Sequence, residues 1–208
     1  MIKNKNPLFI LFLILQMVGC AQVKDTSKNE VELIFNKWQQ ATYKSLNDSL
    51  NEIIKSGADS LSVVKNTLPI FQNHITSSRS ECFNSYNEKR YNPFDNLYSS
   101  NLLVIEIFRE DNCHTKVMHI IDEKVKKKYS FVRSCMTDNK TEVYEETVSD
   151  NLSKSVEGFV SDFSYKEGWR AYTGVITYIT KGNFKSVPLL YLSDDDIEKL
   201  NAYGVGLE

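Results

Sequence analysis

Between Val31 and Ile53 apolar residues return every three or four positions, at Val31, Ile34, Trp38, Ala41, Leu46, Leu50 and Ile53. That period marks one face of an amphipathic helix and predicts a long one over residues 30–55. Gly57 stands just beyond it, where helices commonly stop. Asp59 or Ser60 is placed to cap a second helix with Leu61, Val64, Leu68, Phe71 and Ile75 on one stripe. Pro69 lies inside that stripe and removes a backbone donor, so a kink is expected there. From Ser77 to Ser100 the period fails. Asn, Ser and Tyr dominate around Pro93, with rings at Phe83, Tyr86, Tyr91, Phe94 and Tyr98. Long loops in compact domains are uncommon and often functional, and aromatic side chains offer a large contact area with a polar tip. This loop is a candidate binding surface; the competing reading lays it over a sheet with its rings buried.

Leu102 to Arg109 is nearly all apolar on both faces, as a central strand would be. Thr115–Ile121, Lys124–Cys135 and Thr141–Ser149 follow, separated by the polar turns Asp122-Glu123 and Thr137-Asp138-Asn139-Lys140. Together they predict a four-stranded antiparallel meander. Leu152, Val156, Phe159 or Val160, and Phe163 mark a third helix. Trp169–Thr180 and Phe184–Leu192 form a hairpin around Lys181-Gly182-Asn183. Ser193 caps a short last helix that opens on Asp194-Asp195-Asp196. The class expected is α+β: two N-terminal helices, the meander, a helix, a β-hairpin and a short C-terminal helix. The helices are expected on one face of the sheet. This order is similar to that of cystatin-like and NTF2-like cones, a likeness of architecture that carries no function.

The apolar residues suggest a register. Val117, His119 and Ile121 share one face of the second strand; Val125, Tyr129, Phe131 and Cys135 share one face of the third. If those faces meet, Val117 lies opposite Phe131, and Cys113 opposite Cys135, since a slip of one residue would turn an apolar set outward. Directly opposed residues are close enough for a disulfide. Cys113–Cys135 is therefore the expected bridge, with Cys82 left over.

The leader gives a different kind of signal. Lys3 and Lys5 precede an apolar run from Leu8 to Val18, which is the plan of a secretory signal peptide. The run is too short for a spanning helix, which needs roughly 20 apolar residues. Met17-Val18-Gly19-Cys20 closes it. These four residues resemble the lipobox of bacterial lipoproteins, with Met17 where leucine is usual. The resemblance covers the leader alone and implies residues 1–19 as a signal peptide. Cys20 becomes the lipidated mature N-terminus, carrying a diacylglyceryl thioether and an acylated amine. Residues 20–29 are then lipidated cysteine and tether, and 30–208 a single α+β domain. Ala21, rather than an aspartate, follows the cysteine, which by the same resemblance favours the outer over the inner membrane. Whether the domain faces the periplasm or the surface stays open. The alternative is an ordinary signal peptide cut elsewhere, for instance after Ala21.

Loss of Lys3 and Lys5 with the leader takes the formal net charge from −2 to −4. That balance gives no general attraction for nucleic acid, which is bound by neutralising phosphates. Export permits disulfides, and the three cysteines beyond Cys20 leave one unpaired. His74, His114 and His119 have no metal-ligand spacing. The chain lacks a nucleophile elbow, a phosphate loop and a His-Glu-x-x-His helix, so no catalytic, metal or cofactor residues are assigned. Asp194-Asp195-Asp196 suits a helix's first turn better than a calcium loop. Lys124, Lys126, Lys127 and Lys128 read as a solvated strand edge kept from aberrant pairing, or as a face for anionic lipid or polysaccharide. The expectation is a membrane-anchored, non-enzymatic binding or accessory protein for a protein or envelope partner. The alternatives are an envelope hydrolase whose site assembles in three dimensions, and an immunity or inhibitor lipoprotein.

Overall fold

The computed structural model describes residues 32–55, 69, 71–81, 100–109, 116–133, 141–164 and 172–207. The chain divides into two compact units, Met1–Trp38 and Gln39–Glu208. In the first, the described residues are the opening turns of a helix, α1 (32–55), in which Ile34 and Trp38 are buried.

In the second unit α1 goes on burying Leu46, Leu50 and Ile53, as the apolar period predicts, but at the turn between Trp38 and Leu46 it buries Thr42 while the expected Ala41 is only half-buried. The second helix, α2, covers 71–81 and buries Phe71, Ile75, Ser78 and Arg79. It outruns the apolar stripe by most of two turns, because its last buried position is a charged one. The expected cap at Asp59 or Ser60 and the neighbours of Pro69 that would show a kink lie outside the described residues.

Six strands follow: β1 (Asn101–Arg109), β2 (Lys116–Asp122), β3 (Lys127–Arg133), β4 (Thr141–Thr147), β5 (Tyr172–Thr180) and β6 (Asn183–Leu192). Helix α3 (Leu152–Asp162) lies between β4 and β5, and α4 (Asp194–Ala202) follows β6. The α+β class holds, and the described residues form four helices and one six-stranded antiparallel sheet ordered β4-β3-β2-β1-β5-β6. The meander is thus not a sheet of its own: the hairpin β5–β6 continues it through β1.

The expectation of helices on one face is corrected. Leu46, Leu50, Ile53, Phe71 and Ile75 of α1 and α2 cluster with Phe108, Val175 and Leu190. Leu152, Val156 and Phe159 of α3 and Ile197 and Leu200 of α4 cluster with Leu103, Ile105, Ile107 and Ile176. Ile107 and Phe108 are neighbours and must point to opposite faces, so both faces are covered. The run Leu102–Phe108, apolar on both sides, requires this.

The register is corrected too. Val117 pairs with Val132 and His119 with Ser130, one residue away from the pairing that set Cys113 opposite Cys135. That derivation gave β2 a single core face, whereas every residue from Val117 to Asp122 is buried, so its parity carried no information. The turn decides instead. Asp122 Oδ1 accepts the N–H groups of Lys124 (2.9 Å) and Val125 (3.3 Å). Lys126 turns left-handed (φ 58°), and β3 begins opposite Asp122 at Lys127. Val125, expected in the core, sits in this turn and is 46 % exposed. Cys113 and Cys135 themselves lie outside the described residues.

A fully buried polar network ties the first two helices to the sheet. Arg79 donates from Nε to Glu106 Oε1 (2.9 Å), and from its second terminal nitrogen to Oε2 (2.6 Å) and to Thr42 Oγ1 (3.0 Å). Thr42 and Thr177 each lie 3.0 Å from the Ser186 hydroxyl. This two-pronged arginine–carboxylate geometry is the strong form of the interaction. Removing one partner would strand a charge in the core at a cost of about 3–5 kcal/mol.

Candidate functional site

One end of the sheet opens into a cleft of about 640 Å³. Its walls come from the start of β1 (Ser100, Asn101), the β2–β3 turn (Glu123, Lys124, Lys126), the approach to α3 (Val148, Ser149, Asp150), the first turns of α3, and the β5–β6 turn (Lys181). Hairpin geometry places two of the lysines. Lys181 and Gly182 both have positive φ (49° and 76°), the pattern of a two-residue turn matched to strand twist. The left-handed Lys126 closes the other turn. A left-handed L-residue costs roughly 1–2 kcal/mol.

Helix α3 brings its N-terminus into the cleft, and that end is not closed by the helix's own residues. Asn151 stands at the N-cap but its side chain makes no capping hydrogen bond, and the first turn holds no acidic residue. Lys154 occupies that turn and lines the cleft. The Leu152 N–H is taken by the Ser149 carbonyl (3.3 Å). The N–H groups of Ser153 and Lys154 belong to the turn that has no acceptors in the i−4 ladder.

Ser100 is 4 % exposed, lines the cleft, and its hydroxyl has no hydrogen-bond partner among the described residues. Lys126 meets Asp150 at 3.1 Å, but both side chains are solvent-accessible, so the pair contributes little. Lys124, Lys154 and Lys181 form no ion pair among the described residues. The other carboxylates on the walls are Glu123 and Glu157. Burial, then the charges of Glu157 and Glu123, push the Tyr178 phenol up to about 12. It remains a neutral hydroxyl.

The lysines between Lys124 and Lys128 separate into three roles. Lys124 and Lys126 line the cleft. Lys127 pairs with Glu145. Lys128 is 4 % exposed; its ammonium donates to the carbonyls of Val205 (2.9 Å) and Gly204 (3.3 Å) and meets Glu146 at 3.1 Å. The reading of this run as a solvated strand edge is therefore corrected, since β3 is an inner strand and β4 lies outside it.

His119 lies outside the cleft. Its Nδ1 is 2.8 Å from the Ser130 hydroxyl. Burial first, and the Lys128 charge second, push its imidazole down to about 3, with the Gly206 backbone pulling the other way. A histidine sealed in this manner is a neutral core group at ordinary pH. His74 stacks on Phe108 with ring centroids 5.7 Å apart. Among the described residues no three His, Cys, Asp or Glu side chains are grouped to hold a metal. The acidic first turn of α4 is accounted for by the helix, because Asp196 closes a capping box with Ser193.

Cys20, the disulfide candidates Cys113 and Cys135, and the aromatic loop residues Phe83, Tyr86, Tyr91, Phe94 and Tyr98 all lie outside the described residues. The cleft was not anticipated from the sequence. Its one local signal was a lysine, with no acid, in the first turn of α3; Ser100 gave none. Among the described residues no helix is long and apolar enough to cross a membrane. No protein-family model, curated protein or solved structure matches the chain.

Proposed function

We propose that this chain is an exported, lipid-anchored envelope protein that binds a protein or envelope partner and does not turn over a substrate. The observation that carries this reading is Met17-Val18-Gly19-Cys20 at the end of the apolar leader. Acylation of Cys20 at both sulfur and amine supplies more than one chain, which is what stable anchoring takes. A tether over residues 20–29, at ~3.3 Å per extended residue, reaches at most about 30 Å. The α+β domain therefore works close to its membrane, and the outer membrane fits the Ala21 that follows the cysteine.

The binding reading draws support from how the described polar groups are arranged. The buried charges Arg79 and Glu106 are tied to one another, and His119 is neutral and set apart from the cleft. The cleft itself is open and lined by lysines from separate elements. A hydrolase would need a nucleophile activated by a base in such a cleft, and among the described residues none on the walls pairs with a histidine. Metabolic labelling with palmitate tests the anchor: the wild-type protein takes up label and Cys20→Ser does not. Label absent from the wild type, or equal in the variant, contradicts it.

A further inference from the structure

We propose that the outer edge of β4 takes up an extended, basic polypeptide strand from a partner. This names the kind of partner for the binding protein proposed above, and it rests on that reading. The sheet has two end strands, β4 and β6, and they are finished differently. On β6 the two-residue turn at Lys181-Gly182 makes Thr180 and Asn183 a hydrogen-bonded pair, so the even positions from Phe184 to Pro188 turn their backbone groups outward. Pro188 has no N–H to offer, and the Ser186 carbonyl accepts the Ser45 hydroxyl of α1 (2.6 Å). The register shifts between Tyr172 and Gly174, and Tyr191 turns left-handed (φ 63°). Ile53 of α1 and Val160 of α3 line one cleft with Pro188. Proline, a bulge and covering helices are the devices that keep a strand edge from pairing.

Strand β4 carries none of these devices. Its seven residues include neither proline nor glycine, and they pair with β3 without a shift, from Thr141 opposite Arg133 to Thr147 opposite Lys127. The Val148 N–H reaches the Lys126 carbonyl (3.0 Å), which fixes the alternation. Glu142, Tyr144 and Glu146 therefore turn N–H and C=O toward β3. Val143, Glu145 and Thr147 turn theirs outward, where no strand meets them among the described residues. Glu142, Tyr144, Glu145, Glu146 and Thr147 are exposed. A regular open edge is a template for an added strand, and its side chains select which strand. Glu145 and Glu146 pair with Lys127 and Lys128. The Glu142 carboxylate has no cation among the described residues; it accepts the Tyr144 hydroxyl. A second copy pairing edge to edge about Tyr144 would set Glu142 opposite Glu146 twice, and like charges directly opposed are destabilising. A strand with lysine or arginine at alternate positions meets opposite charge instead. Tyr144, 46 % exposed, adds an aromatic face for a cation.

The test is residue-resolved amide hydrogen exchange of the full-length protein in detergent at low ionic strength. The probe is a capped heptapeptide of alternating lysine and valine, compared with its glutamate–valine counterpart. Without peptide, the Val143, Glu145 and Thr147 amides exchange freely while those of Glu142, Tyr144 and Glu146 are protected by β3. The lysine peptide at saturation slows the first set by roughly tenfold or more, and the glutamate peptide does not. Glu145→Pro withdraws one outward donor, as Pro188 does on β6, and weakens the lysine peptide by about tenfold, the loss of one good contact. Glu142→Lys keeps every backbone donor and weakens it by a similar factor through charge. Glu198→Gln, on α4, leaves binding unchanged. No slowing at the outward amides overturns the site, as does equal slowing by both peptides. Protection of those amides that grows with protein concentration in the absence of peptide assigns the edge to a second copy and also overturns it. A protein that takes up palmitate through Cys20 yet shows no peptide protection loses only this inference. Peptide protection without palmitate loses only the anchor.

Discussion

Helices α3 and α4 cover the same face of one sheet and finish their ends in opposite ways. At α4 the protein supplies caps from its own residues. Ser193 Oγ accepts the Asp196 N–H (3.2 Å), and Asp196 Oδ2 accepts the Ser193 N–H (2.9 Å). Asp194, Asp195 and Asp196 meet the positive end of the helix. At its other end Gly204 turns left-handed (φ 90°), and the Val205 N–H returns to the Leu200 carbonyl (3.1 Å). Lys128 then covers the carbonyls of Gly204 and Val205. At α3 the cap residue Asn151 makes no side-chain bond, and Lys154 adds charge of the wrong sign. The same chain caps one helix with its own side chains and gives the other no side-chain cap.

Acid should strike the α4 side hardest. His119 lies beneath the segment that follows α4, with an imidazole near 3 in the folded state and an ordinary value of about 6.5 when unfolded. The unfolded chain takes up the proton first. Stability is therefore complete above pH 6.5 and falls as the pH drops toward 3, by up to ~1.4 kcal/mol per pH unit. Urea denaturation at pH 7 and pH 4.5 should differ by roughly 2–3 kcal/mol from this group. The charged neighbours are Lys128 on β3 and, paired with it, Glu146 on β4. His119→Gln should flatten the slope, and an unchanged slope would remove His119 as its source.

Ser193→Ala should cost about 1–2 kcal/mol by thermal unfolding, because it removes a side-chain cap. Lys154→Glu should stabilise the protein by about 0.3–1 kcal/mol, because it corrects the sign of charge at the N-terminus of α3. The smallest effect belongs to Asn151→Ala, below ~0.5 kcal/mol, since this residue has no capping bond to lose. If Asn151→Ala proved as damaging as Ser193→Ala, the contrast between the two helices would be gone.

The helical stripes of α1 and α3 and the cap of α4 were legible in the sequence because they follow from short-range periodicity and one serine. The two covered faces were implicit in Leu102–Phe108, whose apolar residues alternate to both sides. The β2–β3 register was not legible, because a strand buried on both faces gives the same pattern in either parity. Arg79 and Glu106 were invisible as partners: each reads as a surface charge until the fold brings α2 onto β1. The cleft was hidden for the same reason. Ser100, Lys124, Lys154 and Lys181 are far apart in the chain, and only hairpin closure and helix placement bring them to one end of the sheet.

The most direct measurement is thermal unfolding of the wild type and Lys154→Glu at low ionic strength. An α3 first turn without an acid or a side-chain cap predicts the higher midpoint for the variant. An equal or lower midpoint in the variant would contradict the account.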